Sequence, residues 1–144
     1  LAGIAVAIKA CSPRPRVLGV EPEPEHAACR PVGAGQLVAA EGPSASMADA
    51  IKVQSLGTLN FELIRRYVDA FVTVGEADIA RAVLDCFECN RLLVEPAGAV
   101  ALAAARIHEP RAGHPAMAAR PVVAILSGGN TTADFIQTLQ AASP

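Results

Sequence analysis

The stretch Val122–Phe135, VVAILSGGNTTADF, decides the fold. An apolar run rich in β-branched residues breaks at Ser127-Gly128-Gly129-Asn130. The pattern then resumes as one that predicts a helix over about Thr132–Ala141. A strand that hands over to a helix through a hydroxyl and two residues without Cβ marks the kind of place where open α/β sheets hold ligands. Gly128 and Gly129 would let a ligand come close to the backbone, although a plain Gly-Gly turn after a buried strand carries the same letters.

Upstream of this break the chain alternates. VEPAGAVALAAARIHEP, from Val94, is almost all small residues, which suits a helix packed tightly against a neighbour, with Pro96 in its first turn. GEADIARAVLDCFECNRLL, from Gly75, puts Ile79, Val83, Cys86 and Phe87 on one helical face, with acidic residues in the first turn where the helix dipole favours them. AFVTV, Ala70–Val74, reads as a strand. TLNFELIRRYVDA before it reads as an amphipathic helix, with Leu59, Leu63 and Tyr67 spaced by four and Thr58 as its N-cap. Residues 31–46 and 108–119 read as connections rich in polar residues, Gly or Pro, and residues 23–28 as a helical turn. RVLGVEP, from Arg16, is a short strand fed by an apolar helix over Leu1–Ala10 that ends at Ser12-Pro13. Strand and helix thus alternate three times. The fold class is α/β, with part of a doubly wound, largely parallel sheet. Three strands apolar on both faces need cover and edge partners, so the chain by itself is expected to self-associate.

Bulk properties narrow the function. The 144 residues are 52% apolar and carry a formal charge of -2, which allows one domain with a sizeable core. The basic residues are scattered and make no face for a phosphate backbone, so nucleic acid is not an expected partner. No apolar run approaches the roughly 20 residues of a membrane span, so no membrane partner is expected either. Cys11, Cys29, Cys86 and Cys89 do not form a secreted disulfide framework, and the cytoplasm is the expected compartment. On paper the CFEC and HAAC segments, with His26, could assemble four zinc-type ligands, but CFEC lies on a predicted helix and reads as reduced core cysteines. His108 and His114 fall in a polar connection and read as solvated.

Five stretches stand in a telling order: GVEPE (Gly19–Glu23), MADAIKV (Met47–Val53), TVGEADIARAVL (Thr73–Leu84), VEPAGAVALAA (Val94–Ala104) and VVAILSGGN (Val122–Asn130). In order and spacing they resemble the second half of the catalytic domain of threonine dehydratases. That family belongs to the fold-type II enzymes dependent on pyridoxal 5'-phosphate (PLP), with serine dehydratase and serine racemase among them. The resemblance implies a tryptophan synthase β-like fold. It also implies that residues 1–144 are the C-terminal part of a catalytic domain whose N-terminal half, with the cofactor lysine and the phosphate loop, precedes them. The implied reaction removes water and then ammonia from threonine or serine to leave a 2-oxo acid. A serine racemase-like isomerase and a non-catalytic truncated fragment are the alternatives. A homo-oligomer is implied as well.

By the same resemblance the hydroxyl of Ser127 meets the pyridine nitrogen of PLP, Gly128 lets the backbone approach the ring, and Glu95 points toward the cofactor. A carboxylate at a helix start with no chemistry is the alternative for Glu95. Glu21 matches a cation-binding glutamate of some relatives, which would make a divalent cation a second cofactor. The second acidic ligand falls near Ala27, however, with Glu25 and His26 only adjacent, and a solvated acidic loop is the alternative. Ala50 stands where the family has glycine, a costly exchange if that position needs positive φ. Lys9 and Lys52 lie in no lysine motif of the family, and this half contributes no catalytic residue of its own.

Overall fold

The computed structural model describes residues 1–23, 36–37, 45–53, 55–107 and 121–142. The elements are α1 (Ala2–Cys11), β1 (Leu18–Pro22), a 3-10 turn (Asp49–Ile51), α2 (Thr58–Tyr67), β2 (Ala70–Val74), α3 (Glu76–Asn90), α4 (Pro96–Ile107) and α5 (Ala133–Ala142). The chain resolves into two compact units, one of residues 1–46 and 52–73, the other of residues 47–51 and 74–144.

In the first unit β1 and β2 pair in a small parallel sheet, and α1 packs on α2. Ala2 and Ala5 are the buried residues of α1. On α2 the buried pair is Phe61 and Ile64, while Leu59 is 72% exposed. The expected face of Leu59, Leu63 and Tyr67 is therefore rotated. The i, i+3 pair of Phe61 and Ile64 wins because it places the aromatic ring in the core. The helix begins at Thr58 with Gly57 as N-cap and no side-chain cap, one residue earlier than the Thr58 hydroxyl would dictate.

One polar cluster ties this unit together. Lys9 Nζ donates to Asp69 Oδ2 at 2.7 Å and to the carbonyl of Pro15 at 2.9 Å. The Val17 N–H donates to the same carboxylate oxygen at 2.6 Å, and the Asp69 N–H returns to Val17 O at 2.9 Å. Burial by itself would raise the Asp69 carboxyl. The hydrogen bonds from Lys9 and Val17 and the charges of Lys9 and Arg16 outweigh it and hold the group below the ordinary value of 3.8. A carboxylate lowered in the folded state stabilises at pH values above its unfolded pKa, and that contribution disappears as pH falls through the folded value. Asp69→Ala should therefore cost about 1 kcal/mol at pH 7. The gap from the parent should close when urea unfolding is repeated well below pH 3.8. A gap that stayed constant with pH would show that the ionised carboxylate contributes nothing.

In the second unit α3 packs against both α4 and α5, and the 3-10 turn packs on α4. Its buried set includes Ile79, Ala82, Val83, Leu84 and Cys86 on α3, Ala99, Ala103 and Ala104 on α4, and Ile136 and Leu139 on α5. Being covered by two helices gives α3 a wider apolar face than a single stripe, and Leu84 and even Asp85 are buried. The helix stops at Arg91 in the left-handed conformation (φ 56°), where the N–H groups of Arg91 and Leu92 return to the carbonyls of Phe87 and Cys86. At the start of α5, Thr132 Oγ1 accepts the Phe135 N–H at 3.2 Å.

The expected third strand, PVVAIL, is not formed. Residues 121–132 precede α5 without entering a sheet, and Val122, Val123, Ile125 and Leu126 are exposed, Val123 by 85%. A strand exists only through a neighbour that takes its N–H and C=O groups, and none pairs with this run among the described residues. No helix among the described residues is long and apolar enough to cross a membrane.

Candidate cofactor site at the Ser-Gly-Gly turn

The site lies within the second unit, where the segment entering α4 meets the turn after Leu126. Glu95 caps α4: its carbonyl accepts the N–H groups of Gly98 (2.9 Å) and Ala99 (3.1 Å), and Pro96 opens the helix behind it. The N–H of Glu95 donates to Gly128 O at 3.2 Å. Its carboxylate Oε2 accepts the Asn130 N–H, also at 3.2 Å. Gly128 has φ +75°, and a Cβ there would run into the Glu95 carboxylate. On the other side of the turn the carbonyl of Ser127 lies so close to Gly98 that a Cβ on that residue would overlap it. Two glycines from different segments thus interlock, one for its backbone conformation and both for space.

Ser127 is exposed, and its carbonyl abuts Gly98 at the buried start of α4. Of the residues singled out in the sequence, Ser127, Gly128 and Glu95 come together. Gly98 and Asn130 belong to the same arrangement, though the sequence reading does not single them out. A signal for Gly98 is present all the same: a glycine beside Pro96, Ala97 and Ala99 in a first turn gives up helix propensity, which close packing can repay.

On α3 Asp85 is buried, with 8% of the residue exposed. Arg81 reaches its Oδ1 at 2.6 Å from one turn away on α3. Arg106 of α4 pairs with Oδ2, an atom that has no other hydrogen-bond partner. Gln140 of α5 donates to Glu88 at 3.1 Å. These contacts brace α3 against the two helices that flank the turn.

The remaining candidates fall elsewhere. Glu21 sits half-buried in β1. Among the described residues no group of three or more His, Cys, Asp or Glu side chains is placed to hold a metal, and the cation reading gains no support. Glu25, His26, Ala27, Cys29, His108 and His114 lie outside the described residues. Cys86 and Cys89 are free thiols. Cys86 is a core residue whose thiol is pushed up by burial, whereas Cys89, in the last turn of α3, is exposed and not the core cysteine expected. Ala50 lies exposed in the 3-10 turn with φ outside the positive region, so the exchange from glycine carries no backbone strain there. Lys9 is engaged by Asp69 and Pro15.

The family profile of the pyridoxal-phosphate dependent enzymes matches residues 1–128. The chain belongs to the pyridoxal-phosphate dependent enzyme family. It is 34% identical over 139 residues to an L-threonine ammonia-lyase of Thermotoga maritima, covering 96% of this chain and 33% of that protein. Among solved structures, a threonine deaminase from T.th. superposes with a TM-score of 0.81 at 39% identity, over 91% of this chain and 46% of that one. A maize serine racemase superposes at 0.80 and 30% identity, over 99% and 43%. The chain spans about a third of the first relative and less than half of each of these structures. These neighbours establish the α/β fold-type II architecture.

Proposed function

We propose that this chain supplies the ring-nitrogen side of the PLP site in a threonine or serine dehydratase, an ammonia-lyase that removes water and then ammonia to give a 2-oxo acid. The observation that carries the reading is the turn itself: Ser127 stands exposed on a backbone that abuts Gly98 and is hydrogen-bonded to Glu95 through Gly128 and Asn130. The residues present fit one edge of the cofactor. When bound, PLP supplies the electron sink that makes the α-proton of an amino acid removable. Ser127 would offer the ring nitrogen a neutral hydroxyl. Unlike a carboxylate, a hydroxyl does not hold that nitrogen protonated, which tempers the sink and suits a β-elimination whose leaving group departs early. Gly128 would admit the ring edge, and Glu95 would keep the turn in place.

The same reading treats residues 1–144 as the C-terminal part of a catalytic domain, with the cofactor lysine contributed by the preceding half. The fraction of each relative that the chain spans supports this. A cytoplasmic location and a homo-oligomer rest on the family resemblance. The similarity to maize serine racemase favours one second reading, an isomerase that returns the proton to the opposite face.

The test uses the full-length protein with PLP and L-threonine or L-serine, reading 2-oxo acid and D-serine. Ser127→Ala should lower turnover tenfold or more, about 1.4 kcal/mol of barrier or above. It should leave PLP bound and move stability by no more than about 0.5 kcal/mol, because the residue is exposed. Unchanged turnover with PLP in place would remove Ser127 from the reaction. D-serine as the main product would decide for the isomerase.

A further inference from the structure

We infer that Glu95 is a positioning residue, which acts on the reaction only through the backbone turn that presents Ser127. The inference rests on the proposed role of that turn and deepens it. Three contacts of one residue converge on two positions of the turn, Gly128 and Asn130. The Glu95 N–H holds Gly128 O, and its carboxylate holds the Asn130 N–H. Its side chain also occupies the space that a Cβ on Gly128 would need. Its carbonyl meanwhile closes the first turn of α4 onto Gly98 and Ala99, so the clamp is anchored on a buried helix start. Gly98, in that same first turn, abuts the Ser127 carbonyl. The backbone is therefore engaged at 127, 128 and 130 by the segment Glu95–Gly98. The carboxylate serves here as a hydrogen-bond acceptor of the right length. An amide oxygen on a side chain of the same length can accept the same N–H. A proton donor or base, by contrast, requires the ionisable group.

Glu95→Gln and Glu95→Ala separate the two roles in the full-length protein. The first readout is amide hydrogen exchange at Asn130 without PLP, which does not depend on cofactor or activity. Losing a hydrogen bond to a charged acceptor should speed exchange at Asn130 about tenfold in Glu95→Ala, and Glu95→Gln should stay within about threefold of the parent. The second readout is the absorption band of bound PLP with turnover, where Glu95→Gln should keep the parent spectrum and most of kcat, and Glu95→Ala should alter both. Unchanged Asn130 exchange in Glu95→Ala overturns the inference. So does a Glu95→Gln protein with parent exchange and abolished turnover, because the charge would then be what matters. If Glu95→Ala does not fold, Glu95→Gln still decides, since tenfold faster Asn130 exchange in that variant refutes the clamp. The expected exchange pattern in a protein that binds no PLP would uphold the clamp and overturn the cofactor reading alone.

Discussion

Gly98→Ala should be among the most damaging single-methyl additions in the second unit. Its Cβ would overlap the Ser127 carbonyl, a backbone atom that has no rotamer by which to withdraw. Overpacking of a closely fitted site costs about 1–3 kcal/mol, and the upper end applies where the obstacle is main chain. Helix propensity works in the opposite direction, favouring alanine by about 1 kcal/mol. A net loss of about 2 kcal/mol follows, seen as a fall of roughly 4–8 °C in melting temperature for a domain of this size. Adding the same methyl at Gly3, where no atom would meet the new Cβ within 4 Å, should raise stability slightly through propensity alone. A Gly98→Ala protein as stable as the parent would mean that the turn at Ser127 is free to shift, and the proposed placement of Ser127 would lose its support.

How much of this could be read from the sequence depends on the kind of contact. Helices carried by composition were legible: α4 announces itself by its alanines and Pro96, α3 by its acidic first turn and apolar period. The two paired strands were legible as well, since AFVTV and the run within RVLGVEP are β-rich stretches bounded by breakers. PVVAIL follows the same rule and fails. Strand propensity describes fit to a pleated surface, not the presence of the neighbour that completes it. The α2 face differs from the expected one because Leu59 and Phe61 compete for the same helix, and only the packing of α1 decides between them. At the site, SGGN could be seen as a break that admits a ligand. The pairing of Gly128 with Glu95, and of Gly98 with Ser127, joins residues about thirty apart in sequence. Local pattern carries no information on such pairs.

Gly128→Ala tests whether the two halves of that interlock act together. The residue sits at φ +75°, where a side chain costs about 1–2 kcal/mol from backbone sterics alone. The new Cβ would also press on the Glu95 carboxylate. A flexible side chain could swing away, but Glu95 would then release the Asn130 N–H, at about 1 kcal/mol for the lost hydrogen bond. Either route leads to a loss of about 2–3 kcal/mol, with the turn displaced and turnover of the full-length protein down more than tenfold. Gly129→Ala is the milder comparison: its Cβ would meet Leu93 O at 3.2 Å, a tight contact with main chain, but its φ lies outside the positive region. That change should cost about 1 kcal/mol, less than Gly128→Ala. Combining Gly128→Ala with Glu95→Ala supplies the coupling. The methyl's collision disappears once the carboxylate is gone, so the double variant should be less destabilised than the sum of the singles by about 1 kcal/mol. Strict additivity in that cycle, measured by urea unfolding, would show that Glu95 and Gly128 do not share the space they occupy here.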